Sequence, residues 1–301
     1  AFQPLAKPEI PVVRDHAWPR PAIDHFILAK LAQLKLPPPQ AAGEAVLKRR
    51  LAFDLVGLPP GDTTPGKTLQ QKVETLLASP HYGERGGRHW LDVARYADSP
   101  GFEMDNRRDN AWRYRDYVIN AYNKDKPYNQ FVREQVAGDV LEYEDDSQRR
   151  EQLIATGFLA IGPWALVDAD KVQLRMDIVD NQIDMIGRAL LGLTLGCARC
   201  HDHKFDPVSQ RDYYSLGGIF MSTKTLDEAR MSGVFSDVYR APLPETPEEL
   251  IARGKALKQW QSDYSAAKAG ILGLTRALAR EVDARLADVL LTDAAERRSA
   301  A

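Results

Sequence analysis

The stretch Cys197-Ala198-Arg199-Cys200-His201 contains the only two cysteines of the 301-residue chain. Two thiols three positions apart, with an imidazole next, is the spacing of c-type haem attachment. In that chemistry each thiol adds to one porphyrin vinyl group, and the imidazole binds the iron as proximal ligand. Chance would place two cysteines at this spacing about one time in a hundred. The leading reading is therefore one covalent haem c on Cys197 and Cys200, with His201 on the iron. The second ring nitrogen of His201 then needs a carbonyl or carboxylate partner, and Asp202 and Asp206 are the nearest candidates. The preceding helix is expected to stop at Gly196, a residue suited to the left-handed conformation.

Rival chemistries use the same residues. Cys197, Cys200, His201 and His203 are four donors that zinc would accept. Structural zinc sites, however, usually join two knuckles separated in sequence, and adjacent ligands at 200 and 201 are cramped. A redox disulfide or an inert pair is the third reading. For the iron's other face, His203 is tethered too closely to the proximal ligand. That leaves His16, His25, His81, His89 and the five methionines. His89, on an expected helix with aromatic neighbours, is the distal candidate; the bland alternative is a histidine at a core edge. Asp98, Glu103 and Asp105 crowd one loop, a calcium candidate without EF-hand spacing, and a capping and turn role is the simpler account. Arg107, Arg108, Arg113 and Arg115 interleave with Trp112, Tyr114 and Tyr117, a mixture that single-stranded nucleic acid can use. With 40 basic against 42 acidic side chains, an amphipathic helix with a salt-bridged face is the better reading, and no nucleic acid partner is expected. No serine sits in a nucleophile elbow and no phosphate loop is present.

The elements that must position these residues are mostly helical. An extended Pro-rich arm, 1–21, precedes a stripe of Ile23, Phe26, Ile27, Leu31 and Leu34. Further helices are expected at about 45–56 and 68–78, then from Ser79-Pro80 to about Ala97, where Ser caps and Pro takes the first helical position. Others follow at 110–122, 128–137, 148–158 and 171–195. Only 234–239 hints at a strand. No apolar run is long enough to span a bilayer. From Thr246 a capping box opens a coiled-coil-like seam of Leu250, Leu257, Trp260, Tyr264, Ala267, Ile271, Leu274 and Leu278. Arg253 interrupts it, and Gly270 with Gly273 is a candidate hairpin turn. The fold class expected is mostly α: an irregular multi-helix domain at 1–222 with long loops, a linker at 223–245, and a long helix or helical hairpin at 246–301.

Six phrases occur together in order: Trp18 to Phe26, Phe53 to Pro60, Ser79 to Arg85, His89 to Ser99, Ala111 to Tyr117, and Gly196 to Pro207. Together they resemble the cytochrome c-like domain of large exported planctomycete proteins, a family described as a domain of unknown function. The resemblance covers roughly residues 1–222. It implies export to the periplasm or beyond, a haem-binding Cys-x-x-Cys-His at Cys197, Cys200 and His201, and a mostly helical fold. In that family a second large domain usually follows, often after a helical spacer, and 246–301 looks like that spacer. The chain as printed, starting Ala1-Phe2-Gln3-Pro4, then reads as a mature or excised piece. Such proteins are associated with breakdown of sulfated or complex polysaccharides. Gly86-Gly87 departs from the bulkier pair typical of the family, which bears on local helix packing. The function expected is one-electron transfer, as the redox module of a larger oxidoreductase whose partner is a redox protein or a further domain. The rival from another class is a non-catalytic scaffold with structural zinc at the same residues.

Overall fold

The computed structural model describes residues 3–4, 6–14, 17–18, 21–61, 68–102, 105–227 and 230–299, with side chains left undescribed at 284 and 287–299. His16, Glu103 and Met104 lie outside the described residues. Among those described, the chain forms ten α-helices: α1 Ala22–Gln33, α2 Glu44–Leu55, α3 Leu69–Leu77, α4 Pro80–Val93, α5 Ala111–Asn123, α6 Tyr128–Ala137, α7 Asp146–Ala155, α8 Lys171–Ile186, α9 Gln210–Met221 and α10 Pro247–Ser299. The chain divides into two compact units, Ala1–Pro242 and Leu243–Ala301. No described helix is long and apolar enough to cross a membrane.

Local capping chemistry explains several helix starts. Ser79 accepts a hydrogen bond from the His81 N–H, with Pro80 at the first helical position. Thr68 and Gln71 close a capping box on α3, as Ser209 and Asp212 do on α9. α4 stops at Val93, earlier than its apolar pattern predicts, because Arg95 takes a left-handed φ of 56°. The Tyr96 N–H then returns to the Leu91 carbonyl, and the Arg95 guanidinium bonds Asn181 on α8. The helix thus ends in a local left-handed turn, whose Arg95 side chain is held by a residue 86 positions away.

α4 and α5 pack closely because α4 presents glycines. A Cβ on Gly83 would overlap the Ile119 carbonyl of α5, and one on Gly86 would come within 2.7 Å of the Tyr122 ring. The Gly86-Gly87 departure is therefore matched by a ring filling the space a larger residue would need. Beneath lies the main core, in which Trp90, Tyr114, Tyr117, Val118, Phe131 and Phe158 are buried. Its polar groups are paired. Trp90 Nε1 donates to Gln135 Oε1 at 2.8 Å and to the Tyr114 hydroxyl at 3.1 Å. Tyr117 donates to Glu134, which also takes the Lys126 ammonium at 2.6 Å. Burial, then the Glu134 hydrogen bond, pushes the Tyr117 phenol far above its ordinary range.

Two further expectations change. The helix expected at 171–195 is α-helical only to Ile186; a wider π-type turn, Gly187–Leu191, follows and Gly192 ends it with φ 66°. The left-handed stop is thus Gly192, and Gly196 sits inside a short 3-10 turn, Leu195–Arg199. The segment 234–239 forms isolated bridges instead of a strand, Val167 to Phe235 and Leu226 to Val238 among them. Through these bridges it packs on the first unit, where Leu226 joins buried Trp164, Leu166, Leu174 and Ile178. In the second unit, Thr246 and Glu249 form the capping box, and α10 runs on through Gly270 and Gly273 without a hairpin.

Candidate functional site

The two thiols sit on a turn whose underside is anchored. Leu195 and Ala198 are buried with Val179 and Ile183 of α8 and with Tyr213 and Phe220 of α9. The return of the chain depends on Gly187, where a Cβ would meet Leu195 Cγ at 2.6 Å. In a 3-10 turn, residues three apart fall on the same side. Cys197 and Cys200 are both exposed and free, while Ala198 between them is fully buried. The turn thus offers both sulfurs outward from a fixed floor. α9 holds it from the far side: the Arg199 carbonyl accepts from Gln210 Nε2 and from the Tyr214 hydroxyl, each at 3.1 Å.

His201 is exposed, and its Nδ1 lies 2.7 Å from the Asp202 backbone carbonyl. A carbonyl only accepts, so Nδ1 carries the proton and Nε2 keeps a free lone pair, the tautomer a metal requires. The partner is the main chain of Asp202. Its carboxylate is committed elsewhere, accepting from the Gln210 N–H at the start of α9 at 2.8 Å.

His203 has a different role. Its side chain is only 6 % exposed, although its neighbours Asp202, Lys204 and Phe205 are exposed. Nδ1 accepts the backbone N–H groups of Asp206 at 2.9 Å and Phe205 at 3.3 Å. Nδ1 is then unprotonated and cannot donate to the Asp206 carboxylate 3.4 Å away. The proton falls on Nε2, which is 3.4 Å from Thr194 Oγ1; that hydroxyl in turn lies 3.8 Å from Cys197 Sγ. Thr194 and His203 therefore clamp the segments before and after the turn. The clamp engages both nitrogens of His203, so in this arrangement His203 is not free as a fourth donor beside Cys197, Cys200 and His201. Among the described residues no three His, Cys, Asp or Glu side chains converge as a metal-ion set.

The basic residues near the turn are paired with acids of α8. Arg188 bonds Asp184 at 2.9 Å, which raises its guanidinium pKa, with a smaller contribution from nearby Cys197. Arg199 lies 3.5 Å from Asp180, which also accepts the Tyr213 hydroxyl. Burial and that hydrogen bond push the Tyr213 phenol well above its ordinary range.

The distal candidates lie apart from these hydrogen bonds. His89 is exposed on α4, and its Nε2 takes a hydrogen bond from Arg85 at 3.0 Å. His81 Nδ1 meets Glu84 at 2.7 Å, and His25 Nδ1 lies 3.3 Å from the Pro11 carbonyl. Met185 is buried in the main core, whereas Met221 packs against the cluster beneath the cysteine turn. Sequence reasoning missed Thr194, Gln210 and Tyr214; Thr194, three residues before Cys197, had a spacing that could have flagged it. Asp98 accepts from the Tyr96 hydroxyl at 2.7 Å, a turn role, and its carbonyl takes the Arg108 N–H. The arginine cluster is also turned inward or paired locally. Arg108 donates to the Ile161 and Gly162 carbonyls, Arg113 lies over Trp112, and Arg107 and Arg115 pair with Asp109 and Asp116.

The helical body that carries the cysteine turn is similar to a known family. Residues 22–225 match PSCyt2, described as a protein of unknown function (DUF1549). The match covers more than half of the chain, which therefore belongs to that family. Neither the curated proteins nor the solved structures give a match.

Proposed function

We propose that this chain is an exported c-type haem protein that passes single electrons, as the redox module of a larger oxidoreductase. The observation that carries the reading is the state of the turn: two free thiols on one exposed side, beside an imidazole whose Nε2 is left unprotonated by the Asp202 carbonyl. Those residues fit haem c. Cys197 and Cys200 would hold it through thioethers and His201 would bind its iron; the bound group would supply a one-electron Fe(III)/Fe(II) couple.

The chain's own residues do the rest. Ala198 and Leu195 fix the floor, so that both sulfurs keep their separation. Thr194 engages Cys197 Sγ, and His203 holds Thr194 in place. The hydrogen bond from His201 Nδ1 to the Asp202 carbonyl sets the ring's tautomer and orientation. To serve as a ligand, His89 Nε2 would have to give up its Arg85 hydrogen bond. A role in breakdown of sulfated or complex polysaccharides rests on the family resemblance, with a further domain or a separate protein as electron partner.

The test is an absorption spectrum of protein exported in a host able to attach haem c. The expected result is a Soret band with sharp reduced α and β bands that survives acid-acetone extraction. Cys197→Ala together with Cys200→Ala should release the pigment. A colourless protein with stoichiometric zinc would overturn the reading in favour of a structural-metal scaffold. Changing His89 to Ala and finding the spectrum unaltered would remove it as distal ligand.

A further inference from the structure

α10 carries an apolar stripe that the haem reading leaves unused. Leu257, Trp260, Tyr264, Ile271, Leu274 and Leu278 are each more than half exposed. A continuous stripe of this kind marks an interaction surface. Its spacing is a heptad: Leu250, Leu257, Tyr264, Ile271 and Leu278 share one seam position, and Arg253, Trp260, Ala267, Leu274 and Glu281 share the other. The seam's two charges have opposite sign and lie near its two ends. Among the described residues each has a local ion-pair partner, partly buried Glu245 for Arg253 and exposed Arg285 for Glu281. Such pairs contribute little and are readily exchanged.

We propose that a second copy of this chain covers the stripe, with the two α10 helices antiparallel about a midpoint between Ser265 and Ala266. Two features of the seam select this partner and orientation. In that register Tyr264 meets Ala267 of the second copy, Trp260 meets Ile271, and Leu257 meets Leu274, so large side chains face small or medium ones. A parallel pair would stack Trp260 on Trp260 and Tyr264 on Tyr264, and would leave Ala267 facing Ala267. The charges agree with the volumes. Antiparallel pairing brings Arg253 within one seam layer, about 4.5 Å along the axis, of Glu281 of the second copy, once at each end. Parallel pairing would set Arg253 against Arg253 and Glu281 against Glu281, and like charges facing each other across an interface oppose association.

Sedimentation of the whole 301-residue chain over a range of concentrations tests the proposal, with circular dichroism confirming that α10 stays helical. A monomer–dimer equilibrium is expected. Arg253→Glu alone, or Glu281→Arg alone, should weaken it by roughly tenfold or more. The two changes together should restore it, because the opposite charges meet again with their places exchanged. A monomer at every concentration overturns the proposal; that result would follow if a further domain or another protein covers the stripe. A dimer that neither single reversal weakens, or that the double reversal fails to restore, overturns the antiparallel pairing. None of these readouts depends on haem.

Discussion

The main core and the cysteine turn use polar groups in opposite ways. Around Trp90 the buried polar groups are answered from within the fold: Glu134 is 2 % exposed and takes Lys126, Tyr117 and Gln130, and Lys126 also reaches Glu151. Around Cys197 the arrangement is reversed, with apolar residues hidden underneath and the reactive atoms outside. A buried network whose members satisfy one another has nothing left to offer a ligand; it rigidifies the fold. A turn with a fixed floor and unpartnered outward atoms is a place for chemistry. The comparison makes the turn packed on α8 and α9, and not the polar network around Trp90, the candidate site.

The strongest way to break this division is Glu134→Ala, which takes the acceptor from the buried Tyr117 hydroxyl and leaves the Lys126 ammonium with Glu151 alone. The expected cost is about 3–5 kcal/mol, read by urea unfolding. A cost under about 1 kcal/mol would mean that the network is not the structural element described. Next is Gly83→Ala, where the new Cβ forces α4 from α5; the expected loss is about 1–3 kcal/mol, seen as a lowered Tm.

Thr194→Val belongs on the other side of the comparison. It removes the hydroxyl between His203 and Cys197 and should cost about 1 kcal/mol. Its main effect should appear in chemistry: in haem-free protein, the ratio of Cys197 to Cys200 alkylation, read by mass spectrometry, should change, and Thr194→Ser should restore it. An unchanged ratio would make the clamp a loop brace without influence on the thiol.

The smallest effect concerns acid. Burial raises the Glu151 pKa, but hydrogen bonds from Lys124 and Lys126 outweigh it and hold the carboxyl below its ordinary 4.5. A depressed folded-state pKa contributes stability above the unfolded value and loses it as pH falls through the folded one. Glu151→Gln should therefore flatten the acid limb of the stability–pH curve below about pH 4.5 and leave the cysteine turn's alkylation ratio unaltered.

Much of the fold was legible because its signals are local. Ser79-Pro80 and Thr246-Pro247-Glu248-Glu249 each state their helix within a few residues, and the structure agrees at both. The thiol–imidazole spacing was equally local, as was the mostly helical class. Tertiary contacts decided the rest. The left-handed Arg95 that ends α4 is held by Asn181, and Gly187 lets Leu195 fold back so that the turn rests on α8. His203 looked like a fourth zinc donor in the sequence and became a brace once Thr194 and the Phe205 and Asp206 amides closed around it. Residue type and short spacing determine what a side chain can do. Which of its atoms remain free to do it depends on partners brought from elsewhere in the chain, and folding alone supplies those.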